Sequence, residues 1–383
     1  MKRILIYLHL FLLCCITLKG QDKEPALSVS GYASWLQNSM FDTIDGRWYN
    51  TSMLHNRVIL KAFPSRAVSF DLEARNRLII GDMVMLDPFY SESITSDPGW
   101  ADLSWNFIDE SSFLFNTMVD RAWICITSGK FELTAGRQRI NWSQSLVWNP
   151  NDIFNTYSFF DFDYIERPGS DALRFVYSVT PSSAIETAVK MNHDGNLTAA
   201  ALYRFNFSGT DLQFLAGETN EEDIVLGTGW SAAAGPYSIR GEATWFQPFE
   251  KKGLDNGTGI ITVGIDRSFS EKFSAVTQLM YCNNPLTLAA FGDLYSGGLT
   301  AKELAFSKFT AIGQVTYTPM PLISVSGSAI WYPDLDGFFA GPSLDISLSE
   351  DIDFSFVWQH FRSTIAGERT RVNLGFLRFK YSF

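Results

Sequence analysis

Basic side chains recur at even intervals along the first half of the chain, a spacing that collects them on one face of extended strands. They are Arg57, Lys61, Arg75, Arg77, Arg121, Arg137, Arg139 and Arg174. A guanidinium offers a planar fork of N–H donors that matches carboxylate and phosphate oxygens. If this face lines an aqueous passage, we expect it to attract anions and select for them. The sequence leaves a second interpretation open, in which these residues pair with nearby carboxylates and only hold the structure together.

Residues for catalysis are scarce by comparison. A nucleophile or an activated water requires a positioned base, and His55, His193 and His360 show no arrangement with Ser and Asp that would supply one. We therefore expect no enzyme, no metal site and no cofactor. The formal net charge of −11 also argues against nucleic acid as a partner.

The elements that must position the basic face are short strands. In 67–79, Val68, Phe70 and Leu72 alternate with Ser69 and Asp71, as one apolar and one polar face require. Most segments have the length of about 9–11 residues that a tilted transmembrane strand needs. The pattern predicts eighteen strands, with sixteen as an alternative count, at 28–37, 53–63, 67–79, 114–127, 130–141, 171–180, 183–193, 196–207, 210–219, 223–233, 237–247, 258–269, 272–282, 304–318, 322–332, 338–348, 351–361 and 370–383.

Connections between these strands alternate between tight and long. Ser128-Gly129 and Pro181-Ser182 are tight turns, whereas 38–52, 80–113 and 142–170 are long segments. Transmembrane β-barrels show this rhythm because their periplasmic turns are short and their outer loops are long. We therefore predict an all-β fold, a transmembrane antiparallel β-barrel with both termini on the periplasmic side. A soluble β-protein also alternates, but no fixed repeat of a propeller or solenoid is present.

The last strand carries a signature of its own. Phe379, Tyr381 and Phe383 share one face, and Arg378 and Lys380 take the other. This ending resembles the C-terminal signature of Gram-negative outer-membrane barrels. The resemblance implies that the three aromatic residues are read by the barrel-assembly machinery.

The first residues have the features of a secretory signal peptide. Lys2 and Arg3 precede an apolar run over 4–16, and Gly20 offers a small residue for cleavage. The run is too short for a membrane helix, which needs about 20 apolar residues. We predict a signal peptide over 1–20 and a barrel over 21–383. The pair Cys14-Cys15 leaves a lipoprotein signal as the alternative.

Three segments in the middle of the chain form its most specific pattern. They are Gly136-Arg137-Gln138-Arg139-Ile140-Asn141-Trp142, Trp148-Asn149-Pro150-Asn151-Asp152-Ile153-Phe154-Asn155 and Glu166-Arg167-Pro168-Gly169-Ser170-Asp171-Ala172-Leu173-Arg174. This pattern resembles the porin-like barrels of the alginate-export and related families, except that Ser143 stands where a glycine is expected. The resemblance implies passive passage of solutes or polymer through the barrel, with the third outer loop packed against the lumen wall.

Loop 142–170 suits such a constriction because it is too aromatic to extend freely into water. Its candidate residues combine two tryptophans with charged groups: Trp142, Trp148, Asp152, Asp161, Asp163, Glu166 and Arg167. We expect its carboxylates to pair with Arg137, Arg139, Arg167 and Arg174 and so to hold the loop inward. Because Arg137 and Arg139 share the parity of apolar Leu133, either a bulge near Gly136 turns both arginines inward, which we favour, or this end of the strand projects beyond the bilayer. Packing for stability alone is the alternative role of the loop.

The expected partners follow from a membrane barrel. They are outer-membrane lipid, lipopolysaccharide, the assembly machinery and small solutes. Acidic loop 80–113 either binds divalent cations that bridge lipopolysaccharide or is a solvated charged loop. The sequence predicts an outer-membrane channel for passive diffusion of small anionic or sugar-like solutes. The alternative is a conduit for polysaccharide export, and the solute and oligomeric state stay open.

Overall fold

A computed structural model describes residues 26–157, 159–160, 162, 166, 169–250, 253, 256–286, 300–365 and 368–383. The predicted signal peptide over 1–20 and the candidate residues Asp161, Asp163 and Arg167 lie outside these ranges. Within them, no helix is long and apolar enough to cross a bilayer.

Most described residues belong to strands. The strands are β1 (Leu27–Phe41), β2 (Trp48–Ser65), β3 (Val68–Gly81), β4 (Ser104–Glu110), β5 (Phe113–Ser128), β6 (Phe131–Gln138), β7 (Ser170–Thr180), β8 (Ser183–Met191), β9 (Leu197–Phe207), β10 (Thr210–Thr219), β11 (Asp223–Ala234), β12 (Tyr237–Pro248), β13 (Thr258–Ser270), β14 (Phe273–Cys282), β15 (Phe309–Met320), β16 (Ile323–Tyr332), β17 (Gly337–Ser347), β18 (Ile352–Ile365) and β19 (Glu368–Ser382). Helices α1 (Asp82–Leu86) and α2 (Tyr90–Thr95) lie between β3 and β4, and two short 3-10 helices cover Ala301–Glu303 and Pro333–Leu335.

The sheet closes on itself through antiparallel pairs. Each strand pairs with the next along the chain, except that β3 pairs with β5 across the inserted β4, and β19 returns to pair with β1. Eighteen strands therefore close the barrel, while β4 pairs, among the described residues, with β5 alone. The predicted 18-stranded antiparallel barrel is confirmed. Closure removes the exposed sheet edges that a bilayer does not tolerate.

Strand β4 was predicted as part of loop 80–113, and its presence has a physical cause. Strand β6 pairs with Ala122–Ser128 of β5 and ends at Gln138, three residues before the predicted end at 141. Strand β4 pairs with the other part of β5, Phe113–Met118. It thus covers the β5 edge that β6 leaves open, a requirement that the local sequence does not reveal.

The two ends of the lumen differ in character. We call the half near the tight turns the turn-side half. Its inward positions are polar, as at Ser274, Thr316, Ser324, Ser326, Ser343 and Asp353. In the other half, the loop-side half, inward positions carry buried apolar side chains, as at Leu202, Leu215, Val225, Phe246, Ile260, Met280, Ile312 and Phe339. The outward face is apolar and exposed, as at Leu72, Leu133, Leu173, Phe214 and Leu226. The core of this protein therefore lies inside one half of the barrel.

The strand predicted over 304–318 corresponds to β15, which starts at Phe309, five residues later than predicted. Residues Ala301, Leu304, Ala305 and Phe306 belong instead to the buried core inside the barrel. These residues are apolar because they are buried inside the lumen. From sequence alone, such a run cannot be distinguished from a buried strand.

Closure of the barrel depends on a glycine opposite the last residue. Gly31 and Phe383 exchange two backbone hydrogen bonds of 2.9 Å. A Cβ on Gly31 would lie 2.2 Å from the carbonyl oxygen of Arg57 and 3.0 Å from Cζ of Phe383. The last residue of the chain therefore pairs with β1 at a position where a side chain would not fit.

We expect Gly31→Ala to lower the free energy of unfolding by about 1–3 kcal/mol, because the methyl group meets backbone that cannot rotate away. Urea titration in liposomes, followed by the heat-dependent gel mobility of folded barrels, measures the change. Gly313→Ala is the matched control, since no heavy atom lies within 4 Å of its added Cβ. Equal urea midpoints for the two variants would contradict the packing requirement at Gly31.

Candidate functional site

The segment 139–169 is here called the crossing loop. Its described residues lie inside the barrel rather than above it. The loop leaves the wall at the end of β6 and returns to it at the start of β7. Between these points it contacts β10, β12 and β14 on one side of the lumen and β17 and β18 on the other. It is the described segment best placed to control passage through the barrel.

The ends of the crossing loop are tied together by polar residues of the motif. Asn155 accepts a bond of 2.7 Å from the backbone N–H of Ile140 and donates one of 3.1 Å to Oγ of Ser170. Gln138 donates to the carbonyl oxygen of Ala172 at 3.0 Å. These bonds close the loop at its base and explain why amide side chains flank it in the sequence.

Arg137 lies at the junction where β4 replaces β6 in the wall. Its guanidinium forms a bidentate pair with Asp171, at 2.7 and 2.8 Å, and a pair with Asp97 at 2.6 Å. The carbonyl oxygens of Ala101 and Val119 accept its other two bonds, at 2.6 and 3.1 Å. Each of the five N–H donors of Arg137 thus has an acceptor. The residue joins four segments and has no donor left for a solute.

The bulge expected at Gly136 is not present in the pairing of β6, although Gly136 has a φ of +113°. Arg137 pairs with Ala122 and Asp171, on the face that carries Leu133. The prediction that a bulge turns Arg137 toward the lumen is therefore wrong. The irregularity lies in β5, where the pairing with β3 shifts between Glu73 and Ala74.

Arg57 is the centre of a second group of paired charges, on the inward face of β2. It is fully buried and bonds to Glu73, at 3.1 Å from Nε, and to Asp120. Glu166 of the crossing loop comes within 3.9 Å of Arg57. The predicted inward orientation of Arg57 agrees with this geometry, but its charge is already paired.

The other predicted basic residues divide into buried and exposed positions. Arg75, Arg77 and Arg121 are buried, and Arg121 donates to the carbonyl oxygen of Glu166 at 2.9 Å. Arg174 is part of a group with Glu132 and Glu186, at 3.1 and 2.6 Å. Lys61 is half-exposed in the turn-side half, 3.7 Å from Asp71. Arg139 follows the end of β6 at the start of the crossing loop.

Arg137 and Arg174 bond to carboxylates outside residues 139–169 rather than to Asp152 or Glu166, as described above. Of the two described loop carboxylates, Glu166 approaches Arg57, and Asp152 is buried, 3.5 Å from the backbone N–H of Trp142. Among the described residues, wall carboxylates on neighbouring strands are therefore the partners of these two arginines. The expected pairing of Asp161 and Asp163 stays a prediction, because both lie outside the described residues.

Glu242 of β12 is the strongest attachment of the crossing loop to the wall. Its carboxylate is fully buried and accepts backbone N–H bonds from Gln144, Ser145 and Asn151, the last two at 2.8 and 2.9 Å. One buried carboxylate thereby satisfies three backbone donors that water cannot reach. Asn151 adds a bond of 3.0 Å to the carbonyl oxygen of Thr228.

Three glutamines of the wall also bind the loop backbone. Gln213 donates to the carbonyl oxygen of Trp142 at 2.7 Å, and Gln359 donates to that of Phe160 at 3.0 Å. Gln278 accepts from the N–H of residue 147 at 3.0 Å and donates to the carbonyl oxygen of residue 148 at 2.9 Å. Buried Gln side chains thus take the place of a strand partner for the loop.

Aromatic side chains of the loop fill the loop-side half. Trp142 and Trp148 are buried there, and Nε1 of Trp142 donates to Glu186 at 2.6 Å. Phe160 packs edge-on against Phe339 and Phe361, with ring centroids 5.1 and 4.9 Å apart. The aromatic side chains of the loop thus pack like a hydrophobic core, and its backbone forms hydrogen bonds with the wall as a strand would with a neighbouring strand.

Glu242, Gln213, Gln278 and Gln359 were missed by the sequence analysis. Each of the three glutamines is followed, two residues toward the loop side, by an apolar inward residue, as with Gln278 before Met280. A glutamine at the boundary between the polar and apolar inward positions was the available signal, and it can be recognised only once the strand faces are assigned. Glu242 stands between Arg240 and Thr244 and gave no such signal.

The aromatic C-terminal residues lie on the outward face of β19. Phe379 stacks on Trp35 of β1 with ring centroids 6.1 Å apart, and Tyr381 is exposed. Lys380, on the inward face, pairs with Asp353 at 3.9 Å. The alternation of faces agrees with the sequence, and the role of Phe379, Tyr381 and Phe383 in assembly stays a prediction.

Comparison with known proteins identifies the fold. No protein-family model and no curated protein sequence matches the chain. Solved structures do match: OccAB2 of Acinetobacter baumannii, with 8% identity and a TM-score of 0.59, OccK8 (OprE) of Pseudomonas aeruginosa, with 10% and 0.58, and the outer membrane protein opdK of P. aeruginosa, with 9% and 0.55. Each match covers 93% of this chain and 98% of the other. The chain thus has the barrel fold of these porins, and the narrower resemblance to alginate-export barrels stays a prediction.

Removing the junction arginine should destabilise the barrel. In Arg137→Met, Asp97 and Asp171 keep buried charges without a cation, which we expect to cost about 3–5 kcal/mol of unfolding free energy. Arg66→Met is the control, because Arg66 lies exposed in the turn between β2 and β3 and should change stability by less than about 0.5 kcal/mol. Urea unfolding of both variants in liposomes makes the comparison. A stable Arg137→Met barrel with altered ion selectivity would contradict the structural role.

Glu242→Ala should release the crossing loop from the wall. Three backbone N–H groups lose their acceptor, so we expect protease cleavage within 139–157 and a higher single-channel conductance than in the unaltered protein. The control is Glu271→Ala, an exposed carboxylate in the turn between β13 and β14. Heat-dependent gel mobility verifies that both barrels are folded. Unchanged cleavage and conductance in folded Glu242→Ala would show that packing alone holds the loop.

Proposed function

We propose that the chain is a channel of the Gram-negative outer membrane through which small solutes diffuse passively. The observation that carries the proposal is a closed barrel of eighteen strands whose own loop crosses the lumen. Wall side chains alone fill the lumen of a barrel of about eight strands, whereas sixteen or more leave room for water. A loop attached across such a lumen sets the size of what passes. The short turns are proposed to lie in the periplasm and the long connections outside.

The proposed solutes are anionic or sugar-like, and two cations support the anionic part. The side chain of Lys61 is 47% exposed, whereas its partner Asp71 is 5% exposed. The side chain of Arg204 is likewise 47% exposed, 3.9 Å from Glu186, which is 2% exposed. In both pairs the cation faces the lumen and the carboxylate is covered. These two positions therefore present positive charge to entering solutes, although their formal charges are paired.

Sugar-like solutes are supported by the opposite wall of the turn-side half. Inward positions of β15 and β16 in this half carry neutral hydroxyl and amide groups, among them Gln314, Thr316, Ser324 and Ser326. Thr316 and Ser326 are within 3.0 Å of each other and both can donate or accept. A cationic wall facing a hydroxyl-bearing wall suits small polyhydroxylated acids as well as neutral sugars.

The crossing loop argues for small solutes rather than for polymer export. Its backbone is bonded to Gln213 and Glu242 on one side of the lumen and to Gln359 on the other. A polysaccharide chain would need all of these attachments released at once. Small solutes need only the space beside the loop.

Planar-bilayer recording under a salt gradient tests the proposal. We expect steady conductance with an anion-directed reversal potential. The double variant Lys61→Gln, Arg204→Gln should reduce the ratio of chloride to potassium permeability, since it removes the exposed lumen cations. The matched control, Arg66→Gln with Lys272→Gln, removes two exposed cations from tight turns and should leave the ratio unchanged.

The outcomes separate the parts of the proposal. A cation-directed potential in the unaltered protein would overturn the anionic preference and keep the channel. Folded protein that conducts no ions would overturn the channel itself and favour the export conduit, with its loop displaced by a partner.

A further inference from the structure

One tryptophan in the turn-side half faces the lumen. Trp123 of β5 pairs with Asp71 and Gly136, which places its side chain on the inward face. The residue is half-buried, and its Nε1 is not buried. In the described part of the chain, nothing bonds to that N–H and no ring or cation lies against the indole. By contrast, the ring of inward Tyr32 lies under the ammonium of Lys380, at 5.2 Å. Trp123 therefore presents an unoccupied aromatic surface to the lumen.

Small residues keep one side of the indole clear. Gly136 lies opposite Trp123 in β6, and Ala172 lies opposite Gly136 in β7. Gly136 has a φ of +113°, and an added Cβ would lie 2.2 Å from the carbonyl oxygen of Ala122. The backbone therefore requires the glycine, since any larger residue there would be strained. As a consequence, the two strands beside Trp123 carry nothing larger than a methyl group at its level in the lumen.

A hydrogen-bond donor lies on the other side of the indole. Lys61 pairs in register with Asp71, and Asp71 pairs with Trp123, so the three residues share one level of the lumen. The ammonium of Lys61 is 3.7 Å from the carboxylate of Asp71, and the side chain of Lys61 is 47% exposed. An ammonium group has three N–H donors, so it can donate to a solute while it stays paired. Two strand spacings put the Cα atoms of Lys61 and Trp123 about 10 Å apart, a gap that a flexible lysine side chain can narrow.

We propose that Trp123 and Lys61 form a subsite for pyranose sugars. The C–H groups of a pyranose give its ring an apolar face, and its hydroxyl groups lie around the rim. An indole covers such a face, whereas an ammonium at the side donates to a rim hydroxyl. An apolar surface with a few placed polar groups is the usual composition of a small-molecule site. The proposal rests on the solute channel proposed above and narrows its sugar-like solutes to ring forms.

The subsite lies at the turn-side mouth of the crossing loop. Arg121 is the next inward residue of β5 toward the loop side, and it donates to the carbonyl oxygen of Glu166 at 2.9 Å. A sugar stacked on the indole is therefore directly below the loop. It enters or leaves the narrow part of the lumen with its ring held against the wall.

Alkylation of Cys125 measures occupancy of the subsite without any ion current. Cys125 lies two residues from Trp123 on the same face and is half-buried, whereas Cys282 is fully buried. The full chain, folded in detergent, is treated with N-ethylmaleimide with and without D-glucose, and peptide mass spectrometry gives the rate at Cys125. We expect glucose to slow this rate saturably, by at least about threefold, because only the unoccupied fraction reacts. Sorbitol, which has the hydroxyl groups but no ring, should give no protection.

Three substitutions test the assigned roles, each by the ratio of its alkylation rates with and without glucose. Trp123→Ala should abolish the protection, and Trp123→Phe should retain part of it because an aromatic ring remains. Lys61→Gln should weaken the protection, since an amide donates less strongly than an ammonium. The matched control is Trp331→Ala, which removes an exposed tryptophan from the outward face of β16 and should leave the ratio unchanged. Heat-dependent gel mobility verifies that each variant is folded.

Three results would overturn the subsite. They are equal protection by sorbitol and glucose, unchanged protection by glucose in folded Trp123→Ala, and protection by benzoate but not by glucose, which would assign the indole to aromatic acids. The alkylation assay needs no ion flow. A barrel that conducts without protection by glucose therefore loses the subsite alone, whereas a barrel that is protected but does not conduct loses the channel proposal.

Discussion

The structure depends on one constraint: a closed barrel of eighteen strands has a lumen too wide for its own wall side chains to fill. The chain meets this constraint with the crossing loop, whose described residues leave the wall and pack inside. Buried loop backbone then needs partners for its N–H and C=O groups, because no adjacent strand supplies them. Glu242 and the three wall glutamines, Gln213, Gln278 and Gln359, supply those partners. The apolar core, the paired arginines and the extra strand β4 all follow from moving that loop inward.

The barrel wall holds the crossing loop largely through the backbone of the loop. Glu242 and Gln278 recognise N–H and C=O groups of the loop rather than its side chains. Loop side chains that neither bond to the wall nor pack in the core can therefore change without detaching the loop, whereas Asn151, Asn155 and Trp142 cannot, because their side chains also form hydrogen bonds. The position of the loop is set mainly by the wall.

Most of the fold could be predicted from the local sequence. The period-two alternation and the rhythm of short and long connections predicted all eighteen barrel strands, because both patterns arise from a wall one residue thick between lipid and lumen. Strand β4 was not predicted, because its residues form a strand only by covering the edge of β5. The orientation of Arg137 escaped for a related reason: its acceptors on Asp97 and Ala101 come from the segment before β4. Pairings between distant segments leave no local period to detect.

The spacing of basic residues predicts which strand face they share but not whether each one is buried or exposed. Arg57 and Lys61 share a face and a strand, yet Arg57 is fully buried among carboxylates and Lys61 is half-exposed. Their difference arises from depth along the barrel, since Arg57 lies at the level of the bulge in β5 that brings Asp120 inward. A buried pair contributes rigidity, and an exposed cation contributes to the potential that a solute meets. The basic face therefore differs by depth: it is buried and paired where the loop packs, and it carries the partly exposed cation of Lys61 in the turn-side half, to which the proposed anion preference is assigned.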